Sequence, residues 1–272
     1  MTRTVVLTGP TSGIGRQAAH QLARPDVELV LVGRRPQALA EVANECREAA
    51  GVRTVVGDFS SLASVRQAAA EILATTPRID VLCLNAGTVS DRRRLSADGI
   101  ELTFATNHLG PFLLCELLKD RLVASAPSRI VITSSIGHLG ATLDFDDLGY
   151  EHGYSIMNAY RRSKLANVLY ARHLAEELRP GVEAVSFHPG AVSTGIWTGA
   201  PWWARPVLAI MRLRMDDPAT GGARLVRLVD EPVVSGAYYS DGRVTDPDPK
   251  ALDDAVGDRL VAVSRELTGL SS

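Results

Sequence analysis

Short apolar, β-branched runs recur along this chain, and each is followed by a longer segment of helical period. The runs are Thr4–Leu7, Val27–Val32, Val52–Val56, Ile79–Leu84, Arg129–Thr133 and Glu183–Phe187. The segments between them, Arg16–Leu22, Gln37–Ala50, Ser61–Thr75, Thr106–Val123 and about Asn158–Leu178, repeat their apolar residues at helical spacing. Runs that are apolar on both faces belong in a sheet covered on both sides, and strands that alternate with helices make that sheet parallel. Right-handed crossovers then predict an α/β fold, a doubly wound, Rossmann-like parallel sheet with helices on both faces. No linker, repeat or low-complexity tract interrupts the 272 residues, so 1–272 reads as a single domain.

Open sheets of this kind bind ligands outside the carboxyl ends of their strands. Those ends carry a glycine loop, Gly33-Arg34, Asp58, Asn85-Ala86-Gly87, Ser134-Ser135 and His188-Pro189-Gly190. Small and polar residues therefore gather at one edge of an otherwise apolar sheet. The loop itself, Thr8-Gly9-Pro10-Thr11-Ser12-Gly13-Ile14-Gly15, joins a strand to a helix. Its glycines permit a tight turn, and the helix N-terminus offers unpaired N–H groups and a positive dipole end to a phosphate. The spacing is G-x-x-x-G-x-G rather than the commoner G-x-G-x-x-G, and taken alone it also fits a plain glycine-rich turn.

Tyr160 and Lys164 stand four apart on a predicted helix and so share a face. An ammonium within about 4–6 Å of a phenol favours the phenolate and lowers its pKa by roughly 1–3 units, which suits a general acid or base near neutrality. A surface pair on an amphipathic helix is the plain alternative. Ser135 ends the strand expected beside this helix and is placed to hydrogen-bond a substrate oxygen. Its neighbour Ser134 should point the other way. Asn107 opens an apolar helical stretch, where a polar residue also serves as a cap or bend. His108, His138 and His188 show no metal-ligand spacing and read as structural; no metal is expected.

Composition narrows the classes further. A formal net charge of −2 lacks the basic footprint of a nucleic-acid binder. Cys46, Cys83 and Cys115 are scattered, and the last two lie in apolar runs, as expected of buried free thiols in a reducing compartment. The first strand follows Met1 closely, leaving no room for a signal peptide, and no apolar stretch reaches the roughly 18 residues of a membrane span. We expect a soluble, cytoplasmic protein without a membrane anchor.

With these residues in view, the sequence resembles the short-chain dehydrogenase/reductases. T-G-x-x-x-G-I-G stands at Thr8–Gly15, N-A-G at Asn85–Gly87 and the family asparagine at Asn107. The serine matches Ser135, Y-x-x-x-K matches Tyr160–Lys164, and P-G-x-x-x-T matches Pro189–Thr194. Ser163-Lys164-Leu165-Ala166-Asn167, the long interval from Ser135 to Tyr160, and the ending Ser235-Gly236-Ala237-Tyr238-Tyr239-Ser240-Asp241 are similar to the retinol dehydrogenase-like branch, which includes the WW-domain oxidoreductases.

The resemblance implies an NAD(P)-dependent oxidoreductase that interconverts a carbonyl and an alcohol. Tyr160 would be proton donor or acceptor, Lys164 would lower its pKa and hold the nicotinamide ribose, and Ser135 would polarise the carbonyl. Asn107 would support a water linking Lys164 to solvent. Gly9, Ser12, Gly13, Ile14, Gly15, Arg34, Asp58, Phe59, Asn85, Ala86, Gly87, Pro189, Val192 and Thr194 would line the cofactor cleft with Tyr160 and Lys164. Leu84 departs from the family, where many members carry a second Asn. A substrate lid is expected at about 195–216, with Trp197, Trp202 and Trp203 as an apolar substrate wall or as ordinary core aromatics.

Three further expectations follow. NAD would need an acid at the end of the second strand, but this chain reads Val32-Gly33-Arg34-Arg35 there, which favours NADP(H) over NAD(H) through Arg34. Leu109, Phe112, Leu113, Leu114, Leu117, Leu118, Leu122 and Val123 surround their helix on nearly every side, which suggests a homodimer or homotetramer unless a helix of the same chain covers it. A regulator or scaffold that keeps the fold with little turnover is the alternative to an enzyme. An epimerase or dehydratase on the same fold would need a larger C-terminal part than the residues after Pro189 supply.

Overall fold

A computed structural model of the chain describes residues 2–190 and 217–270. Val192, Thr194, the expected lid and its three tryptophans lie outside the described residues. An eight-stranded sheet runs β3-β2-β1-β4-β5-β6-β7-β8. Its strands are β1 (Arg3–Thr8), β2 (Val27–Gly33), β3 (Gly51–Val56), β4 (Val81–Leu84), β5 (Ser128–Thr133), β6 (Val182–His188), β7 (Tyr238–Ser240) and β8 (Arg243–Val244). All neighbours pair in parallel except β7 and β8. The order reverses between β1 and β4, and the crevice of a doubly wound sheet opens at that point.

Strand alternation divides the core in two. Val6, Val30 and Val32 point into one apolar cluster, whereas Val5, Leu7, Leu29 and Leu31 point into another on the opposite face. Helices α3 (Leu62–Thr75), α5 (Gly110–Ala124) and α6 (Ile156–Glu177) cover the first face; α1 (Gly13–Leu22), α2 (Pro36–Glu45) and α7 (Pro218–Asp230) cover the second. The last helix, α8 (Asp254–Thr268), packs outside α6. Neither α7, α8, β7 nor β8 was expected from the apolar runs.

Helix α2 stops earlier than its expected end at Ala50. The Ala50 N–H is drawn instead to the Val27 carbonyl at 2.8 Å, where it helps start β3 beside β2. The helix expected at Thr106–Val123 begins earlier, at the single turn α4 (Leu102–Phe104), whose end is capped by the Glu101 carboxylate accepting from the Thr103 and Phe104 N–H groups. A π turn, Ala105–Leu109, then leads into α5. The apolar circumference of α5 is covered by its own chain: Phe112, Leu113, Leu114, Leu118 and Leu122 are fully buried, and Val123 alone of that set is half exposed. That circumference therefore no longer argues for an oligomer; α3, the sheet and α8 supply the cover. No helix among the described residues is long and apolar enough to cross a membrane.

Candidate active site

The carboxyl ends of β1, β4 and β5 are stitched together before any ligand is considered. The Thr8 hydroxyl accepts from the Asn85 and Ala86 N–H groups at 2.9 and 3.0 Å and donates to the Cys83 carbonyl. The Asn85 amide donates to the Thr8 carbonyl at 3.1 Å, and its oxygen accepts from the Thr133 hydroxyl. Asn85 is thus a brace across three strands, and only its backbone remains for a cleft. Gly15 is obligatory here: a Cβ would stand 2.1 Å from the Gly9 carbonyl oxygen. Gly9 has a φ of +69° and lies flat against Ala86.

Helix α1 begins at Gly13 with Ser12 as N-cap, and the Ser12 hydroxyl makes no capping bond. The first N–H groups of the helix are likewise unused by the helix itself. At the end of β2, Arg34 and Arg35 are exposed, and neither forms an ion pair with a carboxylate among the described residues. The Asp58 carboxylate accepts from the N–H and hydroxyl of Ser60, which shapes the turn after β3. Phe59 can meet the cleft through its main chain alone. Its ring belongs to the core, and a Cβ on Gly110 would stand 2.5 Å from its carbonyl oxygen, so only main chain is available there. Pro189 follows β6, with its carbonyl accepting from Arg224 of α7 at 2.8 Å; Arg224 also pairs with Asp241 after β7.

The reactive side chains come together from β5, α6 and the π turn. Alternation at the end of β5 separates the two serines. The Ser134 hydroxyl is spent on the Lys164 carbonyl at 2.7 Å, whereas Ser135 hydrogen-bonds the Tyr160 hydroxyl and accepts from the Gly137 N–H. A Cβ on Gly137 would sit 3.3 Å from the Tyr160 ring, so the glycine lets the loop lie against it. His138 fixes this loop from behind. Its Nδ1 donates to the Ser135 carbonyl at 2.7 Å, and its Nε2 accepts from the Asp248 N–H. Lys164 is buried, donates to the Thr133 carbonyl at 3.1 Å, and has its Nζ 5.6 Å from the centre of the Tyr160 ring.

Burial pushes Lys164 down from 10.5 to about 8, because a dry setting disfavours the ammonium. Burial pushes the Tyr160 phenol up, with the Ser135 hydrogen bond pulling it partly back. Desolvation is the largest influence on the Tyr160 phenol in the cofactor-free chain. Asn107 is tied into the site through its side chain. Its side chain accepts from the Thr88 N–H and donates to the Thr88 carbonyl and the Ser163 hydroxyl. It stands beside Gly87, where a Cβ would lie 3.3 Å from the Asn107 oxygen and 3.8 Å from Lys164 Nζ. The two halves of the crevice meet at Gly87. Among the described residues no group of three or more His, Cys, Asp or Glu could hold a metal ion.

The model of the short chain dehydrogenase family matches residues 3–203. The chain is 39% identical over 279 residues to dehydrogenase/reductase SDR family member 13 from Bos taurus, spanning 98% of this chain and 74% of that protein. It is 37% identical to retinol dehydrogenase 14 from Homo sapiens, covering 98% of this chain and 87% of the relative. Among solved structures, an uncharacterised protein from Mycobacterium Paratuberculosis superposes with a TM-score of 0.81 at 29% identity, over 99% of this chain and 94% of the other. The chain therefore belongs to the short-chain dehydrogenase/reductases, on the retinol dehydrogenase-like side of the family, and is an oxidoreductase of CH–OH groups that uses a nicotinamide cofactor.

Proposed function

We propose that the chain is an NADP(H)-dependent oxidoreductase that interconverts a carbonyl and an alcohol on a small, apolar substrate, with Tyr160 as general acid or base. The observation that carries this reading is the contact between the Tyr160 and Ser135 hydroxyls at the mouth of the crevice, with the buried Lys164 ammonium behind the ring. In the reductive direction the Tyr160 phenol is the proton donor, and in the oxidative direction its phenolate is the acceptor. Ser135 orients the substrate oxygen, Tyr160 gives that oxygen its proton, and Lys164 balances the phenolate that remains.

The residues present fit a phosphorylated dinucleotide. The Ser12 hydroxyl and the first turn of α1 are open to a diphosphate. Arg34 is exposed where a ribose 2′-phosphate lies in folds of this type, and no carboxylate stands there to repel it. Asp58, the main chain of Phe59 and Asn85–Gly87 would line the adenine half, and Lys164 and Pro189 with Val192 and Thr194 the nicotinamide half. When bound, the nicotinamide would supply hydride chemistry to the carbonyl carbon. Apolar side chains flank the proposed acid: Ile136, next to Ser135, and Met157, one turn before Tyr160, are 56% and 48% exposed. They would form a rim for an apolar substrate. Three buried free cysteines agree with a reducing, cytoplasmic setting.

Oxidation of NADPH and NADH, followed at 340 nm across a panel of aldehydes and ketones, tests the proposal. Turnover with NADPH preferred supports it. Cofactor binding without turnover on any carbonyl would instead favour the scaffold reading.

A further inference from the structure

The π turn that carries Asn107 also carries His108, and these adjacent side chains grip α6 on either side of Lys164. Asn107 holds Ser163, and His108 meets Asn167. Donor and acceptor roles in this cluster are fixed by its chemistry. The Thr133 carbonyl can only accept, and it receives both Lys164 Nζ and Asn167 Nδ2, each at 3.1 Å. The Asn167 oxygen therefore faces His108, whose Nδ1 donates to it at 3.3 Å. His108 Nε2 is then an acceptor, taken by the Ser264 hydroxyl of α8 at 3.0 Å. A neutral imidazole is what the surroundings permit: Phe104, Phe112 and Tyr170 enclose the ring, and burial pushes its pKa down to about 4.

All members of this run are buried, from Ser264 through His108 and Asn167 to the Thr133 carbonyl. A lysine has four freely rotating side-chain bonds, and a single carbonyl is a loose tether for it. We propose that Asn167, held by His108 and Ser264, is a positioning residue for Lys164. It fixes the carbonyl that both groups share and thereby sets where the ammonium stands. The inference rests on the part given to Lys164 under the proposed function.

The groups facing Lys164 are few. Tyr160 is the titratable neighbour on α6, with its ring centre 5.6 Å from Nζ. The β4 side presents Gly87, the β5 side presents Thr133 and Ser134, and the π turn presents Asn107, with His108 one residue further through Asn167. Among the described residues no carboxylate pairs with Lys164.

Asn167→Asp supplies the test. A carboxylate in place of the amide raises the pKa of a neighbouring ammonium by roughly 1–3 units. The alkaline midpoint of kcat/KM, and the pH at which folding stability responds to Lys164, should both move up by about one unit or more. Asn167→Leu keeps the volume and removes the tether, and loss of such a bond should lower kcat about tenfold, with KM for the carbonyl changed less than about twofold. Ser264→Ala, at the far end of the run, is the mild variant that guards against misfolding; it should lower kcat in the same sense by less.

Failure is distinguishable from failure of the functional reading. A moved stability midpoint with unchanged kcat supports the positioning and overturns the catalytic part given to Lys164. Unmoved midpoints in Asn167→Asp, whatever happens to kcat, overturn the positioning.

Discussion

Lys164→Met should make the free protein more stable while it destroys activity. The shift of Lys164 from 10.5 to about 8 means that its ammonium is less favoured in the fold than in the unfolded chain by about 3 kcal/mol. Methionine fills the same space without a charge. The Thr133 carbonyl is not orphaned by the exchange, because Asn167 still donates to it at 3.1 Å. Allowing for the lost lysine hydrogen bond, a net gain of about 1–2 kcal/mol is expected at pH 7, or roughly 2–4 °C in melting temperature for a chain of this size.

The sign with pH is fixed. Between about 8 and 10.5 the unfolded lysine holds a proton that the folded one has released, so the native protein gains stability as pH rises through that window. The advantage of Lys164→Met should therefore be complete below pH 8, shrink to nothing at about pH 9–10, and reverse above that, where only the lost hydrogen bond remains. Urea unfolding of both proteins at pH 7, 8.5 and 10, without cofactor, measures it. A variant less stable than the parent at pH 7, or an advantage that does not change with pH, would refute the reasoning.

Other outcomes follow from the same geometry. Arg34→Ala should weaken NADP(H) about ten- to several-hundred-fold and NAD(H) little, as competitive titration will show. Carbonyl reduction should decline as pH rises through about 8, when Lys164 loses its proton, and a kcat/KM profile flat from pH 7 to 9.5 would count against that. Ile136→Asp should raise KM for apolar carbonyls with kcat nearly unchanged, as steady-state rates will report, since the side chain is exposed beside Ser135 in the chain. Light scattering at micromolar concentration tests the expected homodimer or homotetramer, whose contact must use a face other than the covered side of α5; the mass of one chain would contradict it.

Much of this could be read from the residues because strand and helix periods are local. Val5 and Val6 announce the two faces of β1 without knowledge of anything distant, and Ser135 could be told from Ser134 by alternation alone. The failures share one physical cause, dependence on partners remote in sequence. Strand β7 has three residues and exists because β6 offers it an edge. Helix α7 contains Gly221-Gly222, which look like a breaker, yet a Cβ on Gly222 would collide with the Ala18 backbone nitrogen at 2.9 Å; close packing on α1 requires the glycine. The π turn has no local signature. Burial at Tyr160 could not be read from its spacing to Lys164. His108, Asn167 and Ser264 span 156 residues and acquire a joint part only when α6 and α8 are packed.

The central claim is that Tyr160 delivers the proton. Tyr160→Phe keeps the ring against Gly137 and removes only the hydroxyl that meets Ser135. Rates of NADPH-dependent carbonyl reduction and NADPH affinity, measured side by side in the parent and this variant, test it most directly. The account predicts a loss of about 10²–10⁴ in kcat, with NADPH bound as tightly as before. A variant that turns over at near-parental rate would contradict it.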